Sequence, residues 1–114
     1  MSVKLTTRQV GDVTVIDVAG RITLGEGSSA LREAMKDLVT KGQKKILLNL
    51  GEVSYIDSSG IGELVSGFTT VTNSGGNLKL LNLNKRVKDL LQITKLYTVF
   101  EVHEDEAAAI RSFA

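Results

Sequence analysis

A short, almost entirely apolar run at residues 46–50, Ile-Leu-Leu-Asn-Leu, constrains the fold more than any other feature of this sequence. Runs of this kind are typical of β-strands that are covered on both faces, whereas a strand with one face in water alternates polar and apolar residues. Length alone does not exclude a segment of buried helix, but the flanking residues favour a strand. Such a strand needs a packing layer on each side of its sheet, so the run indicates an α/β protein.

An antiparallel hairpin is predicted at the start of the chain. Residues 3–10 and 13–19 are two runs rich in residues that favour β-structure, and Gly11 and Asp12 lie between them. A two-residue connection whose first residue tolerates a positive φ angle is typical of a tight β-turn. The sheet is therefore expected to begin with an antiparallel pair at one edge.

Helical and strand patterns alternate through the rest of the chain. After a loop over residues 20–27, apolar residues recur at helical spacing up to Gly42, and Ser28 or Ser29 is the predicted N-cap. The apolar strand is followed by a second helix from Ser59 onward. The later elements are a strand over residues 78–83, a helix capped by Asn84, a strand near 99–103 and a helix opened by acidic residues at 104–106. The predicted order is ββαβαβαβα, a mixed and mostly parallel sheet covered by helices.

Composition and charge indicate one globular domain spanning residues 1–114. The chain is 42% hydrophobic and 24% charged, and its formal net charge is +1. This balance gives no broad electrostatic field that would attract nucleic acid or an anionic membrane. Cysteine is absent, which excludes disulfides and thiolate metal sites. With no signal-peptide pattern at the N-terminus and no apolar run as long as a membrane span, we expect a cytoplasmic, unanchored protein.

The main alternative to a non-catalytic binding protein is an enzyme with Ser58 as its nucleophile. Such an enzyme needs a base, and the only histidine, His103, lies about forty positions away at the end of the last predicted strand. We interpret His103 as a surface residue. The Gly-x-Ser-x-Gly pattern of the α/β hydrolases is also absent around Ser58. The acidic residues at 104–106 could suggest metal ligands, but a helix start explains them. We therefore expect no metal site, and we expect no cofactor.

Nucleotide binding is a second alternative, because Gly60 and Gly62 follow a strand and open a helix. The third glycine of a dinucleotide-binding fingerprint is missing, and the chain lacks the glycine and lysine spacing of a phosphate-binding loop. Lys85, Arg86 and Lys88 form the one basic cluster, without an aromatic platform for bases. We interpret that cluster as a solvated helix face and leave a minor role in partner docking open.

One polar segment, Asp57-Ser58-Ser59-Gly60, lies between the apolar strand and the second helix. The backbone N–H groups at a helix start lack partners within the helix, and with the helix dipole they stabilise an added anion by about 0.3–1 kcal/mol. A phosphate on a serine here would therefore leave the fold intact. The simpler interpretation is that one serine caps the helix while Asp57 closes the turn.

Small residues on the second helix predict a low surface beside these serines. Gly62 and Gly67 each cost up to about 1 kcal/mol relative to alanine in a helix interior, so another constraint must favour glycine there. On a helical projection, the residues facing away from the apolar side are Ser59, Gly62, Glu63, Ser66 and Thr70. We expect a partner to lie against this stripe, while Gly67 is open to a second interpretation, close packing within the domain.

Residues 55–62, Tyr-Ile-Asp-Ser-Ser-Gly-Ile-Gly, closely resemble the signature of the anti-sigma-factor antagonists, the stand-alone members of the STAS domain family. The resemblance extends along the chain, from the early hairpin through residues 20–22 and 75–76 to residues 87–96. It implies a STAS-like version of the α/β fold described above.

The resemblance also implies that Ser58 is a phosphorylation site. In the family, a partner that is both a serine kinase and an anti-sigma factor modifies this serine, and a separate serine phosphatase restores it. The unphosphorylated protein binds the anti-sigma factor and so frees a sigma factor, whereas the phosphorylated protein releases the anti-sigma factor. The chain itself would catalyse no reaction.

The chain departs from the family pattern in two places. Thr23 stands where many members carry an acidic residue after the hairpin, which bears on which partner is recognised. Asn84 and Lys85 replace a proline that often opens the third helix.

Some relatives serve instead as scaffold subunits or in other signalling complexes, and that alternative stays open. The residues expected to contact a partner are Thr23, Asp57, Ser58, Ser59, Gly60, Gly62, Glu63 and Ser66.

Overall fold

The computed structural model describes residues 3–113, which form a five-stranded sheet with helices on both faces. The strands are β1 (Val3–Val10), β2 (Val13–Ile22), β3 (Lys45–Ile56), β4 (Asn77–Leu81) and β5 (Val102–His103). The helices are α1 (Glu26–Thr40), α2 (Ser58–Asn73), α3 (Lys85–Ile93) and α4 (Glu106–Arg111), with a short 3-10 helix at Leu96–Thr98. The strands lie side by side in chain order; β1 and β2 are antiparallel and the later pairs are parallel. The predicted element order and the mixed, mostly parallel sheet are confirmed.

The sheet separates two apolar clusters of unequal size. The larger cluster lies between the sheet and α1, α2 and α3, and the smaller one is covered by α4. Consecutive residues of β3 alternate between them, since Leu48 belongs to the larger cluster and Leu47 to the smaller. Both side chains are fully buried, which confirms that the run at 46–50 is a strand covered on both faces.

The tight turn between β1 and β2 is formed by Gly11 and Asp12, as predicted. Val10 pairs with Val13 in antiparallel register, and Gly11 has a φ angle of 63°. Glycine adopts this left-handed conformation without the steric penalty that a side chain would introduce. The hairpin therefore follows from the local sequence.

Strands β2 and β3 are longer than the sequence predicts. β2 continues to Ile22 and β3 to Ile56, so part of the expected loop at 20–27 is strand, and the apolar run is only the first half of β3. Two register shifts in the pairing of β2 with β3 each insert an extra residue into β3. Such bulges break the two-residue alternation of a strand, so the sequence pattern does not reveal the second half of β3.

The start of α1 contradicts the prediction that Ser28 or Ser29 caps it. The helix begins at Glu26, and its N-cap is Gly25, which has a φ angle of 98° and makes no side-chain capping bond. The Ser29 N–H donates to the Gly25 carbonyl at 3.0 Å, so both serines already lie inside the helix. The positive φ of Gly25 turns the chain into α1 without a side-chain cap.

Strands β4 and β5 are shorter than predicted. β4 ends at Leu81 because Asn82 adopts a left-handed φ of 60°, which interrupts the extended backbone. β5 contains only Val102 and His103 instead of residues 99–103. The 3-10 helix precedes this short strand, and its tight curvature delays the return of the chain to the sheet.

Side-chain caps open the last two helices. The Asn84 Oδ1 accepts a hydrogen bond from the Val87 N–H at 2.9 Å, so the predicted cap of α3 is confirmed. In α4 the N-cap is Asp105, whose Oδ2 accepts from the Ala108 N–H at 2.9 Å. α4 therefore begins at Glu106, slightly later than the acidic opening at 104–106 predicts.

The carboxyl ends of β2 and β3 meet the start of α2. The Asp57 N–H donates to the Ile22 carbonyl at 3.2 Å and so ties the end of β2 to the residue that follows β3. In sheets with parallel strands, this edge is where ligands and partners commonly bind. The polar segment at 57–60 therefore lies at the edge where a functional surface is expected.

Candidate functional site

Asp57 organises the connection between β3 and α2. It is the N-cap of α2, and its Oδ1 accepts a hydrogen bond from the Gly60 N–H at 2.9 Å. Its Oδ2 accepts from the Leu24 N–H at 3.2 Å, in the loop between β2 and α1. One carboxylate thus holds the helix start and the neighbouring loop together. The interpretation that a serine caps this helix is wrong, because Asp57 occupies the cap and α2 begins at Ser58.

The hydrogen bonds to Asp57 also favour its ionised form. The Gly60 N–H contributes most to holding the pKa of Asp57 below its ordinary value, and the Leu24 N–H acts in the same direction. Partial desolvation opposes this effect without reversing it. The carboxylate therefore stays charged at neutral pH beside the positive end of the α2 dipole.

Ser58 and Ser59 occupy the first turn of α2. Ser58 is the first residue of the helix and is exposed, whereas Ser59 is half-buried. Because Asp57 supplies the cap, α2 requires neither serine hydroxyl for that purpose. Ser58 is therefore an exposed serine at a helix start that does not depend on its hydroxyl.

Gly60 and Gly62 have opposite surroundings. Gly60 is buried, and a methyl group there would lie 2.5 Å from the Ile22 carbonyl oxygen and 2.5 Å from Cγ1 of Ile56. Gly62 is exposed, and nothing lies within 4 Å of the corresponding position. Gly60 thus lets α2 approach the strand ends, while Gly62 keeps the outer surface of α2 low. Of the two, only Gly62 faces outward.

Gly67 is explained by packing within the molecule. It is buried, and a methyl group there would collide with the sulfur and terminal methyl of Met35 on α1. Helices α1 and α2 therefore approach each other closely at this point. Of the two interpretations of Gly67, close packing within the domain is confirmed.

The outer face of α2 carries the predicted stripe of small residues. Ser66 and Thr70 are exposed together with Gly62. On the opposite side of the helix, Ile61 and Leu64 are buried in the larger apolar cluster. The helical projection thus separates the two faces of α2 correctly.

Glu63 borders this stripe but has a structural partner. Its side chain is only 17% exposed, and its Oε2 lies 3.2 Å from Nη2 of Arg32 on α1. A shallow groove between the two helices continues from Arg32 past Lys36, Ser66 and Thr70. Glu63 therefore fixes α2 to α1 at the rim of a surface that is otherwise open.

The loop between β2 and α1 adds Thr23 and Leu24 to the same edge. Thr23 is half-buried, and its carbonyl accepts from the Ser28 N–H at 3.0 Å. Leu24 is 77% exposed although its backbone is bound to Asp57. The sequence interpretation missed Leu24; an apolar residue inside a short glycine-containing loop is the signal that could have identified it.

His103 belongs to another part of the sheet. It ends β5, and β4 lies between β5 and β3, so the two strands are separated by about 10 Å. Its Nε2 lies 2.6 Å from Oε2 of Glu101, and its side chain is 21% exposed. His103 is thus a partly exposed residue paired with Glu101, and the fold does not place it beside Ser58.

The basic cluster on α3 is largely paired with acids. Lys85 Nζ lies 3.0 Å from Asp89 Oδ2 within the helix, and Lys88 Nζ lies 3.9 Å from Glu104 Oε2. The three basic residues of the cluster are exposed, as the interpretation of a solvated face predicts. Only Arg86 interacts with an aromatic ring, that of Tyr55.

Two further classes of feature are not found in the described part of the chain. Among the described side chains of residues 3–25 and 27–113, no group of three or more His, Cys, Asp or Glu is arranged to hold a metal ion. Over the same residues, no helix has the length and hydrophobicity to cross a bilayer.

Comparison with known proteins identifies the family. Residues 4–109 match the STAS domain. This chain belongs to the STAS domain family. The anti-sigma-B factor antagonist of Bacillus subtilis (strain 168) is 32% identical to it over 102 residues, which are 90% of this chain and 92% of that protein.

Solved structures share the STAS fold of this chain. The crystal structure of an anti-sigma factor antagonist from Mycobacterium paratuberculosis has a TM-score of 0.87 at 18% sequence identity and covers 98% of this chain and 94% of that chain. The Bacillus cell fate determinant SpoIIAA in its phosphorylated form has a TM-score of 0.74 at 21% identity and covers 96% of this chain and 99% of that chain. The five-stranded sheet described above is thus the STAS arrangement.

Proposed function

We propose that this STAS protein is an anti-sigma factor antagonist whose binding to its partner is controlled by phosphorylation of Ser58. The observation that carries the proposal is that Ser58 is exposed at the first position of α2, while Asp57, and not a serine, caps this helix. A serine in this position can be modified without the loss of a cap. The similarity to the B. subtilis anti-sigma-B factor antagonist supports the class of partner.

The surface around Ser58 suits a protein partner. Leu24 offers an exposed apolar side chain, and Gly62 and Ser66 leave the adjacent face of α2 low. Large apolar groups beside small residues allow a partner to approach closely and exclude water. In this proposal Thr23, Ser58, Ser59, Gly62 and Ser66 contact the partner. Asp57, Gly60 and Glu63 support that surface by fixing α2 in place.

Phosphorylation would end the contact through charge. A phosphoserine carries about −1.5 to −2 charges at neutral pH. Burying that charge against a surface complementary to a neutral hydroxyl costs several kcal/mol unless it is paired. In the separated protein, the same phosphate would lie at the positive end of the α2 dipole and in water. The structure of SpoIIAA in a phosphorylated form supports the idea that a STAS fold accommodates this modification.

The proposal assigns this chain the role of a binding protein and of a substrate for other enzymes. The anti-sigma factor it binds is also the serine kinase that modifies Ser58, and a serine phosphatase reverses the modification. The fold keeps His103 apart from Ser58, which supports a role without catalysis by this chain. The scheme operates in the cytoplasm, where the sigma factor is released.

The proposal is tested by comparing substitutions at Ser58 with a matched control. Wild type, Ser58→Ala, Ser58→Asp and Ser29→Asp are immobilised and exposed to lysate of the native organism, and the retained proteins are identified by mass spectrometry. Ser29 is an exposed serine near the start of α1 and is not among the residues assigned to the contact, so Ser29→Asp adds the same charge near another helix start. Circular dichroism checks that all four proteins are folded.

We expect wild type, Ser58→Ala and Ser29→Asp to retain a serine kinase of the anti-sigma type. Ser58→Asp should retain at least about tenfold less of it, because the added charge opposes burial. Equal retention by Ser58→Ala and Ser58→Asp would contradict control through this serine. Retention of one large complex by every variant would favour a scaffold subunit instead.

A further inference from the structure

Two arginines converge on one aromatic ring at the edge of the sheet that leads to Ser58. The guanidinium carbon of Arg21 lies 4.5 Å from the centroid of the Tyr55 ring, and that of Arg86 lies 4.6 Å from the same centroid. Both arginines are exposed, and Tyr55 is half-buried. We call Arg21, Tyr55 and Arg86 the arginine–tyrosine cluster.

The register of the sheet and one side-chain hydrogen bond position the three members of the arginine–tyrosine cluster. Arg21 of β2 and Tyr55 of β3 are register partners at the carboxyl ends of their strands. Asn84, the cap of α3, donates a hydrogen bond from Nδ2 to the Val53 carbonyl and so holds the start of α3 against β3. Arg86 lies in the first turn of that helix. The cluster is therefore built by three elements of the fold.

The two positive charges of the cluster form no ion pair with the acidic side chains that the structure describes. Among the acidic side chains that the structure describes, which exclude Glu26, none places a carboxylate oxygen within 4.0 Å of either arginine, whereas Arg8 and Arg32 both form ion pairs. The acid closest in sequence to Tyr55 is Asp57, and its two oxygens accept hydrogen bonds from the Gly60 and Leu24 N–H groups. The fold thus brings two cations together, and no described carboxylate is paired with either of them.

The positive charges of the two arginines lie in unfavourable electrostatic surroundings. Two guanidinium groups beside one ring repel each other, and the dipole of α3 disfavours the positive charge of Arg86 in its first turn. An anion bound by both groups would relieve both unfavourable interactions. Stacking on an aromatic face leaves the guanidinium N–H groups free at the edge of the plane, where a carboxylate fits in bidentate geometry.

We propose that the arginine–tyrosine cluster is a receptor for an acidic side chain of the partner protein, beside the surface that contains Ser58. The identification of that partner as an anti-sigma factor rests on the proposed function above. A protein carboxylate fits the cluster better than a nucleic acid does, because the net charge of the chain is only +1 and the Tyr55 ring already stacks against arginine.

Charge reversal with a neighbouring control tests the receptor. The anti-sigma factor retained by the wild-type chain is purified, and its dissociation constant for each variant is measured by isothermal titration calorimetry at low and moderate salt. Arg86→Glu should weaken binding at least about tenfold, and more at low salt. Lys85→Glu makes the same change one residue away, on a side chain already paired with Asp89, and should change the constant less than about twofold. Equal effects of the two substitutions would contradict the proposal that the cluster binds an acidic side chain, but would not contradict the proposed function.

A second measurement does not depend on the anti-sigma factor. A capped tetraglutamate peptide and its tetraglutamine counterpart are titrated into isotope-labelled wild-type protein, and the arginine Nε–H signals are followed by NMR. The tetraglutamate peptide should shift the Arg21 and Arg86 signals more than that of Arg111, and the tetraglutamine peptide should shift none of them. Arg86→Gln should abolish the selective shift at Arg21.

The remaining outcomes distinguish the two proposals. Equal shifts with both peptides, or an Arg111 shift as large as the others, would show that the cluster is not an acid receptor. A single-stranded DNA oligonucleotide that shifts these signals more than tetraglutamate does would also overturn the proposal, in favour of nucleic acid. A selective response to tetraglutamate in a protein that binds no anti-sigma factor would support the receptor and contradict only the proposed function.

Discussion

A methyl group added at each of the three glycines within α2 would meet a different neighbour. At Gly60 it would meet the backbone carbonyl of Ile22, which cannot move unless β2 moves. At Gly67 it would meet the end of the Met35 side chain, which is flexible and can rotate away. At Gly62 it would enter open space. Alanine substitution at these three glycines therefore compares contact with fixed backbone, contact with a flexible side chain and exposure to solvent within one helix.

We predict that alanine substitution is most destabilising at Gly60, less so at Gly67 and not destabilising at Gly62. Gly60→Ala should lower the free energy of unfolding by about 2 kcal/mol, since overpacking a fixed site costs about 1–3 kcal/mol. Gly62→Ala should raise it by up to about 1 kcal/mol through helix propensity. Urea denaturation followed by circular dichroism measures all three. A Gly62→Ala protein less stable than wild type would show that this face of α2 is not open.

The Gly62→Ala variant also separates stability from binding. Because Gly62 lies on the outer face of α2 near Ser58, the added methyl should weaken binding of the anti-sigma factor about tenfold, equivalent to about 1.4 kcal/mol, in a more stable protein. Isothermal titration calorimetry measures the affinity. Asn73→Ala, at the far end of α2, is the matched control and should bind as wild type does. Wild-type affinity in Gly62→Ala would remove this face from the interface.

At the scale of the elements, Asp57 joins the start of α2 to the loop before α1. We predict that Asp57→Ala lowers the free energy of unfolding at pH 7 by about 0.5–2 kcal/mol through loss of the cap. The Gly60 N–H is the main cause of the lowered pKa of Asp57, so the carboxylate stabilises the fold above its unfolded-state pKa of about 3.9. That contribution is lost as the pH falls through the folded-state pKa. The difference between wild type and Asp57→Ala should therefore shrink below about pH 4.

Asp57→Asn is the control for this prediction. Asparagine is about as effective an N-cap as aspartate but does not ionise, so the variant should unfold close to wild type at pH 7. Urea denaturation of the three proteins at neutral and acidic pH measures both effects. If Asp57→Ala is destabilised as much in acid as at pH 7, the ionised carboxylate is not what holds the helix start.

Several features that depend on neighbouring residues were predictable from the sequence, whereas a strand segment that depends on distant pairing was not. The Gly11 turn and the Asn84 cap involve residues at most a few positions apart, and both are confirmed. The second half of β3 forms because bulges let it continue beside β2, which no local pattern reports. The predicted serine cap of α1 was wrong because the positive φ of Gly25 starts this helix without a side-chain hydrogen bond.

The same distinction applies to the candidate site. The segment from Asp57 to Gly60 is continuous in the sequence, so its place between a strand and a helix was predictable. The arginine–tyrosine cluster is not continuous, because its members come from β2, β3 and α3. Only the register of the sheet and the bond from Asn84 to β3 bring those members together.

At the scale of the whole molecule, an ion-pair network joins the two ends of the chain. Arg8 Nε on β1 lies 2.6 Å from Asp17 Oδ2 on β2, and Arg8 Nη2 lies 2.6 Å from Glu106 Oε1 on α4. Asn49 of β3 donates to the Asp17 carboxylate at 2.8 Å. The network thus connects three strands to α4, on the face of the sheet with the smaller apolar cluster.

We predict that Arg8→Ala lowers the free energy of unfolding at neutral pH by about 1 kcal/mol, a modest value because solvent screens side chains that are 33–39% exposed. Hydrogen bonds from Arg8 hold the pKa of both Asp17 and Glu106 below their ordinary values. Their contribution is present above the unfolded-state pKa values of about 4 and is lost as the pH falls through the folded-state values, so wild type and variant should converge in acid. Lys41→Ala, which breaks an exposed pair with Asp37 at the C-terminal end of α1, should change stability little at either pH. Urea denaturation at pH 7 and in acid decides, since equal destabilisation by Arg8→Ala under both conditions would show that Arg8 acts through packing alone.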